Sequence, residues 1–283
     1  MTEAVHEVGG VIVVQLAHAG CRARPEVTGS QPIGPSPLPK QLGISCREMG
    51  AGDIEKIVSS FAEAAVRARK AGFDGVQLHA AHGYLLSQFL SRFFNKRKDD
   101  YGMGQRGRSR LLLEIVRRIK MEAGGDYPLL IKMNSEDFLE DGLTINQMLE
   151  TAAMLEVEGA TAIELSGGTP YSGKLNPLRQ GKFDAPEKEV FYRQAAGMYK
   201  SKIGLPLLLV GGIRSFGMAD NLIEEGITDF IGFSRPLICE PGLIARWKAG
   251  DQKPSICVSD NLCIKSLREG SELRCLTFSR LNV

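Results

Sequence analysis

The chain has 283 residues, of which 43% are hydrophobic and 24% charged, so it can bury a sizeable core and is neither disordered nor fibrous. This length is close to the roughly 250 residues of one α/β barrel, which favours one large domain over two small ones. The 35 Lys and Arg residues nearly balance the 33 Asp and Glu residues, for a net charge of +2. We therefore expect neither nucleic acid nor a membrane surface as a partner.

The longest apolar run and the first residues indicate a cytoplasmic protein. The run 205–213 is far shorter than the roughly 20 residues that span a bilayer. The N-terminal segment MTEAVHEVGG carries acidic residues where a signal peptide is basic and apolar. We therefore expect no membrane span, and we expect the six cysteines to be reduced thiols or ligands rather than a disulfide framework.

Short apolar runs alternate with longer amphipathic stretches, which predicts parallel strands joined by crossover helices. The predicted strands are 11–16, 74–79, 129–134, 161–166, 205–212 and 228–234, and the predicted helices are 54–71, 110–123, 145–158, 187–203 and 218–225. Two long loops, 22–43 and 167–187, each follow a strand. Barrel enzymes place their sites on such loops, at the C-terminal ends of strands.

Side-chain alternation in two of these strands places polar groups on one face. In the second strand Gln77 and His79 lie opposite the apolar side chains, and in the third strand Lys132 and Asn134 share a face. Amide, imidazole and amine groups on the inward face near strand ends are costly unless a polar group occupies the barrel mouth. The alternation therefore predicts a binding site there.

The segment 72–102, GFDGVQLHAAHGYLLSQFLSRFFNKRKDDYG, carries the strongest chemical signal. His79 ends the strand, and His82 and Tyr84 follow in the next loop, where Gly83 permits a sharp turn. Two hydrogen-bond donors and a phenol at one strand mouth could hold an oxygen that gains negative charge, while the phenol supplies a proton.

This segment resembles the catalytic strand of the Old Yellow Enzyme family. These proteins are FMN-dependent NAD(P)H:flavin oxidoreductases and ene-reductases, and they include the related 2,4-dienoyl-CoA reductases. The order His, x, x, His, x, Tyr, followed by a Leu-rich turn, NKR and DxYG, carries the resemblance. Further segments resemble the third strand, the sixth-strand loop, the seventh strand and the eighth strand of the family barrel: VIVVQLAHAG, GGTPYSG, LLLVGGIRS and FIGFSRPLICEPGL.

The resemblance implies an α/β fold of the TIM (β/α)8-barrel type that is incomplete, with six βα units corresponding to strands three to eight. This domain would span residues 1–250, and a C-terminal Cys-containing tail would span 251–283. The first two strands of the family barrel have no counterpart in the sequence. A homo-oligomer could cover the two barrel edges that this leaves exposed.

The resemblance also implies an FMN site. Gln15 would hydrogen-bond the flavin ring, and Lys132 would lie near its N1 and C2 carbonyl, where a cation stabilises the charge of the reduced flavin. The phosphate would be bound by residues of the loops after strands seven and eight, which are the usual phosphate site of barrels: Gly211, Gly212, Ser234 and Arg235.

The implied reaction is reduction of an activated C=C bond in a small enone or dienoyl substrate. His79 and His82 would bind the carbonyl oxygen, reduced flavin N5 would deliver hydride to the β-carbon, and Tyr84 would protonate the α-carbon. NADH or NADPH would reload the flavin in the same pocket. Tyr171 and His18 are looser candidates for lining it, and we expect Arg22 to belong to a solvated basic rim.

Two other hypotheses stay open. The chain could be a non-catalytic truncated remnant that binds no flavin without a partner or the missing N-terminal strands. It could also be a metal-dependent hydrolase or lyase, with zinc at His79 and His82 and a third ligand such as Cys21 or His18. The flavin set favours the oxidoreductase, whereas the missing strands favour the remnant.

The tail contains three cysteines, Cys257, Cys263 and Cys275, that resemble the ligand segment of a four-iron cluster in larger family members. Asp260 stands where another cysteine is expected, and four cysteines are the normal requirement. This favours a structural or disordered tail over an iron–sulfur cluster, and we predict no other metal site. Cys21, Cys46 and Cys239 are expected to be ordinary thiols.

Overall fold

The computed structural model describes residues 1–283 apart from 39–41, 182, 184, 186–187, 269, 271 and 282–283. A parallel sheet of six strands forms its centre. In chain order the strands are β1 (Val13–Leu16), β2 (Ile33–Gly34), β3 (Arg47–Glu48), β4 (Gly75–Ala80), β5 (Leu129–Asn134), β6 (Ala162–Ser166), β7 (Leu207–Leu209) and β8 (Phe230–Ile231). The central sheet has the order β1-β4-β5-β6-β7-β8, and β2 pairs with β3 in a separate small sheet.

Helices connect the strands of the central sheet and continue into the tail. They are α1 (Thr2–His6), α2 (Pro25–Thr28), α3 (Ala51–Lys70), α4 (Leu85–Leu90), α5 (Gly104–Ala123), α6 (Ile145–Val157), α7 (Arg193–Lys200), α8 (Phe216–Glu224), α9 (Arg235–Cys239), α10 (Leu243–Lys248), α11 (Leu262–Arg268) and α12 (Leu276–Leu281). Among the described residues, no helix combines the length and the apolar character needed to cross a bilayer.

The main core lies between the outer face of the sheet and helices α3, α5 and α6. Val76, Leu78, Ile131 and Leu165 are fully buried in this layer. Their side chains follow the period of two that the sequence predicts, so they alternate with the polar residues of the same strands. The strands are thereby fixed with their polar face turned away from the helices.

All six predicted strands are confirmed, and they lie side by side in the central sheet in the order in which they occur along the chain. The predicted helix 187–203 is too long: α7 begins only at Arg193. Val190 has a φ of 57°, a left-handed conformation that interrupts a right-handed helix. Position 187, where the predicted helix begins, lies outside the described residues.

The expectation that all six cysteines are reduced is wrong for Cys21 and Cys46, which form a disulfide. The two residues are 25 positions apart in sequence, but their Cα atoms lie 5.1 Å apart. Cys46 lies directly before β3 and packs beside the turn that contains Cys21. Cys239, Cys257, Cys263 and Cys275 are not disulfide-bonded.

Candidate functional site

A cavity of about 740 Å³ opens at the carboxyl ends of the central strands. Its volume is within the range of small-molecule and cofactor sites, roughly 300–1,000 Å³. Eight of the predicted site residues line it together: His79, His82, Tyr84, Lys132, Gly211, Gly212, Ser234 and Arg235. The parallel direction of the strands explains this convergence, because residues distant in sequence end at the same edge of the sheet.

The turn after β4 gathers the two histidines and the tyrosine. The ring centroids of His79 and His82 are 5.2 Å apart, and those of His79 and Tyr84 are 4.8 Å apart. His82 has a φ of 61°, a left-handed conformation that is uncommon for a non-glycine residue. Its backbone N–H donates to Asn134 Oδ1 at 3.2 Å, which helps to hold this turn against β5.

Both histidines are neutral at pH 7. Burial, reinforced by the nearby Lys132 ammonium, lowers the pKa of His79 to about 4 and places the pKa of His82 well below its ordinary value. His79 Nδ1 accepts a hydrogen bond from the backbone N–H of Ala81 at 3.4 Å. A neutral ring that accepts at Nδ1 carries its proton on Nε2, so His79 can donate one hydrogen bond.

Two further residues contact this group and were missed as site residues. Ser166 lies at the end of β6, on the inner face of the strand, and its Oγ is 2.8 Å from His82 Nε2. Arg22 donates to the backbone carbonyl of His82 at 3.0 Å, and its guanidinium lies 4.6 Å from the Tyr84 ring centroid. The prediction of Arg22 as part of a solvated rim is therefore wrong, because the loop after β1 folds over the turn after β4.

A row of polar side chains crosses the inner face of four neighbouring strands. Gln15 on β1 donates to Gln77 on β4 at 2.6 Å, and Gln77 donates to Glu164 on β6 at 2.7 Å. The other carboxylate oxygen of Glu164 accepts from Lys132 Nζ at 2.7 Å. We call these four residues the polar row. Lys132 and Glu164 line the cavity, whereas Gln15 is exposed on the outermost strand and joins it through Gln77.

Glu164 was not identified from the sequence, although the signal was present. The alternation that places Gln77 and Lys132 inward also applies to β6, where it places Glu164 and Ser166 on one face. Lys132 and Glu164 are register partners across β5 and β6. Both side chains are largely buried, with exposed fractions of 19% and 14%. An ion pair is the usual way to bury such charges.

Gly211 and Gly212 form a turn after β7, which we call the cradle, in which neither position has room for a side chain of its own. Their φ angles are 107° and 87°, which disfavour any residue with a Cβ. A Cβ on Gly211 would lie 2.6 Å from the ring of Tyr192, and one on Gly212 would lie 2.5 Å from the ring of Phe191. Close approach to these rings therefore requires glycine at both positions.

Ser234 and Arg235 lie at the beginning of α9, beside the cradle. The Arg235 guanidinium donates to the carbonyl of Arg179 and to Asn261 Oδ1, both at 2.8 Å. The tail therefore contacts the mouth of the cavity, and its Ile264 is among the lining residues. Nearby, Arg214 is 5% exposed, and its Nε has no hydrogen-bond partner among the described residues. An unpaired buried donor of this kind suits an anionic ligand.

The structure places Tyr171 and His18 outside this lining set. Tyr171 packs against Phe93 and Phe94, with ring centroids 6.1 and 5.9 Å away. His18 Nδ1 accepts a hydrogen bond from the backbone N–H of Gly20 at 3.0 Å. Burial lowers the pKa of His18 and raises that of Tyr171.

The three tail cysteines lie around a second, smaller cavity of about 40 Å³, together with Cys239 from the end of α9. Burial raises the pKa of Cys239 and of Cys263, which keeps these thiols protonated. Asp260 accepts a hydrogen bond from the backbone N–H of Leu262 at 3.0 Å and another from Thr277. Within the described part of the chain, no three His, Cys, Asp or Glu side chains are placed to hold a metal ion.

Comparisons with known proteins agree with this arrangement. The model of the NADH:flavin oxidoreductase / NADH oxidase family matches residues 1–253. The chain is 38% identical over 280 residues to an NADH oxidase of Thermoanaerobacter brockii, which covers 97% of the chain and 42% of the relative. It is 30% identical over 291 residues to a cinnamate reductase of Clostridium sporogenes, and this match covers 97% of the chain and 44% of that relative. The chain thus spans about two fifths of the length of these relatives.

Solved structures of the same group share the fold. A 2-naphthoyl-CoA reductase in complex with 2-naphthoyl-CoA matches with a TM-score of 0.85 and 26% identity, over 97% of the chain and 43% of that structure. An Old Yellow Enzyme homologue from Zymomonas mobilis matches with a TM-score of 0.71 and 25% identity, over 91% and 72%. The chain belongs to the NADH:flavin oxidoreductase / NADH oxidase family, the FMN-dependent NAD(P)H oxidoreductases of the Old Yellow Enzyme type.

Proposed function

We propose that the chain acts in the cytoplasm as an FMN-dependent oxidoreductase that reduces activated C=C bonds of α,β-unsaturated carbonyl or dienoyl substrates, with NADH or NADPH as hydride donor. The observation that carries this proposal is the convergence of two neutral histidines, a tyrosine and a buried lysine at one cavity with a glycine cradle. The names of two relatives support the substrate class, since cinnamate is an α,β-unsaturated acid and 2-naphthoyl-CoA is a conjugated thioester.

The residues present fit FMN in both size and donor chemistry. Gly211 and Gly212 line the cavity beside Ser234 and Arg235, and without side chains of their own their backbone is open to close approach by a phosphate. The buried guanidinium of Arg214 adds a positive charge at this end of the cavity, and its Nε has no hydrogen-bond partner within the described part of the chain. When bound, FMN supplies two-electron transfer between the nicotinamide and the substrate.

At the other end of the cavity, the chain's own groups bind and protonate the substrate. His79 Nε2–H and His82 would donate hydrogen bonds to the substrate carbonyl oxygen, which withdraws charge from the conjugated bond. Neutral imidazoles suit this role, because they donate without releasing a proton into the substrate. Tyr84 would give the proton to the α-carbon from its place beside His79.

Lys132 would lie beside the N1 and C2 carbonyl edge of the flavin. A fixed cation there stabilises the negative charge that two-electron reduction adds. Gln15 would hydrogen-bond the ring from β1. Gly211, Gly212, Ser234 and Arg235 would bind the phosphate.

We further propose that the six strands correspond to strands three to eight of an eight-stranded barrel. Their sequential order and parallel direction support this correspondence. The outer strands β1 and β8 carry Val13 and Phe230, which are 37% and 56% exposed. A second copy of the chain covering these edges is the partner that we propose, and sedimentation velocity would measure its presence.

The rival hypothesis is a non-catalytic remnant that binds no flavin without a partner or further strands. Absorbance between about 300 and 700 nm separates the two, since protein-bound flavin has bands near 370 and 450 nm. The chain is purified without added cofactor, titrated with FMN and passed through gel filtration. We expect the flavin bands to stay with the protein. A protein fraction that shows no flavin bands after gel filtration, whatever the FMN concentration in the titration, would overturn the oxidoreductase proposal in favour of the remnant.

A further inference from the structure

Glu164 occupies a junction in the polar row that the proposed roles leave unexplained. One carboxylate oxygen accepts from Lys132 Nζ and the other accepts from Gln77 Nε2, both at 2.7 Å. We infer that Glu164 is a positioning residue that holds Lys132 and orients Gln77 and Gln15, and so sets the reduction potential of the FMN. This inference rests on the proposed function, because it requires FMN beside Lys132.

The direction of the hydrogen bonds along the row follows from the charge of Glu164. An ionised carboxylate can only accept hydrogen bonds, so Gln77 must turn its Nε2 toward Glu164 and its Oε1 toward β1. Gln15 must then donate through Nε2 to that Oε1. The Oε1 of Gln15 is left as an acceptor for a ligand N–H, such as the imide N–H of a flavin. A neutral glutamine at position 164 could donate or accept, which would release both amides from this orientation.

The charge of Glu164 also offsets that of Lys132. The two side chains form a contact of 2.7 Å and are mostly shielded from solvent, so water screens their interaction weakly. An ionised Glu164 partly neutralises the Lys132 cation beside the flavin. The protein then favours reduced over oxidised FMN less strongly. Removing the negative charge leaves Lys132 uncompensated, so the reduction potential should rise.

The influence of Glu164 extends to the group that binds substrate. Its charge raises the pKa of His79, in opposition to Lys132 and Arg22, which lower it. Glu164 therefore lies close enough to act electrostatically on both Lys132 and His79. It does so without being placed in contact with the substrate oxygen in the proposed reaction.

The test is the reduction potential of FMN bound to the parent protein and to Glu164→Gln. We expect the variant to bind reduced FMN roughly tenfold more tightly relative to oxidised FMN than the parent does, a positive shift of about 30 mV for a two-electron couple. Glu158→Gln is the matched control, because Glu158 also pairs with a cation, Arg117, but lies among the outer helices. Its potential should equal that of the parent.

A second variant covers the case in which Glu164→Gln does not fold. Glu164→Asp keeps the charge but is shorter by one methylene, so it cannot reach both Lys132 and Gln77, and it should give a smaller positive shift. Circular dichroism identifies which variants are folded. An unchanged or lower potential in the folded variants would overturn the inference while leaving the proposed function intact. If the parent itself binds no FMN, both proposals fall.

Discussion

The two faces of strands β4, β5 and β6 differ sharply in chemistry. The outer face presents apolar side chains such as Val76, Ile131 and Leu165, all fully buried against helices. The inner face presents amides and an ion pair that are joined by hydrogen bonds, together with the imidazole of His79. Burial of apolar area stabilises the outer layer, whereas the inner layer contains polar groups that are costly to bury unless each has a partner.

This comparison shows that stability and chemistry are divided between alternate residues of the same strands. A change on the outer face should alter the free energy of unfolding and leave the site intact. A change on the inner face should alter binding or catalysis and, near neutral pH, change the free energy of unfolding little. Experiments that break this rule would show that the two layers are coupled through the backbone.

The largest expected effect is on the inner face. Removing both imidazoles in His79→Ala/His82→Ala eliminates the proposed donors to the substrate oxygen, and each such donor contributes about 10²–10³-fold to the rate. We expect enone reduction to be abolished while FMN stays bound, as measured by steady-state kinetics and by the flavin spectrum. His6→Ala is the matched control, since His6 lies on α1 and pairs with Asp74 at the surface. If the double variant reduces enones at the parent rate, the histidine pair has no catalytic role.

A smaller effect is expected on the outer face. Ile131 is fully buried against the helices, so Ile131→Ala should lower the free energy of unfolding by about 2–5 kcal/mol and leave the affinity for FMN unchanged. Urea unfolding and FMN titration measure the two quantities. The neighbouring Leu130 points to the opposite face and is only half-buried, so Leu130→Ala should cost less stability. Equal losses in the two variants would contradict the division between the faces.

The smallest expected effect appears only in acid. Burial lowers the pKa of His79 from 6.5 to about 4 in the folded chain. Between pH 6.5 and 4 the unfolded chain therefore binds a proton that the folded chain does not, so stability is complete above pH 6.5 and falls as the pH falls. The free energy of unfolding of His79→Gln should fall less in acid than that of the parent. The difference between the two losses should reach about 3 kcal/mol at pH 4. Urea unfolding at several pH values measures this, and identical pH profiles for parent and variant would exclude the contribution of His79.

The sequence was sufficient to predict most of this layout. The period of two placed Gln77, His79 and Lys132 on the inner face, and all six strands were found where the apolar runs predicted them. The turn chemistry of Gly83 predicted a sharp reversal after β4, and the structure has a φ of 72° there. Local patterns suffice for these features because burial of one strand face determines the direction of the other.

Features that depend on long-range packing could not be predicted in the same way. The contact between Gln77 and Glu164 crosses an intervening strand, and its existence depends on the register of three strands. Arg22 reaches His82 through the fold of a long loop. The Cys21–Cys46 disulfide depends on the same loop returning beside its own beginning, which neither spacing nor the expected compartment indicates.

The sequential order of the six strands has a consequence for the growing chain during translation. The corner formed by His79, His82 and Tyr84 can meet Ser166 as soon as β6 has left the ribosome. The cradle end of the cavity is completed later, by Ser234 and Arg235, and the tail adds Ile264 last. A cofactor that needs both ends of the cavity can therefore be captured only after α9 has been synthesised, more than 60 residues after β6 completes the contact between His82 and Ser166.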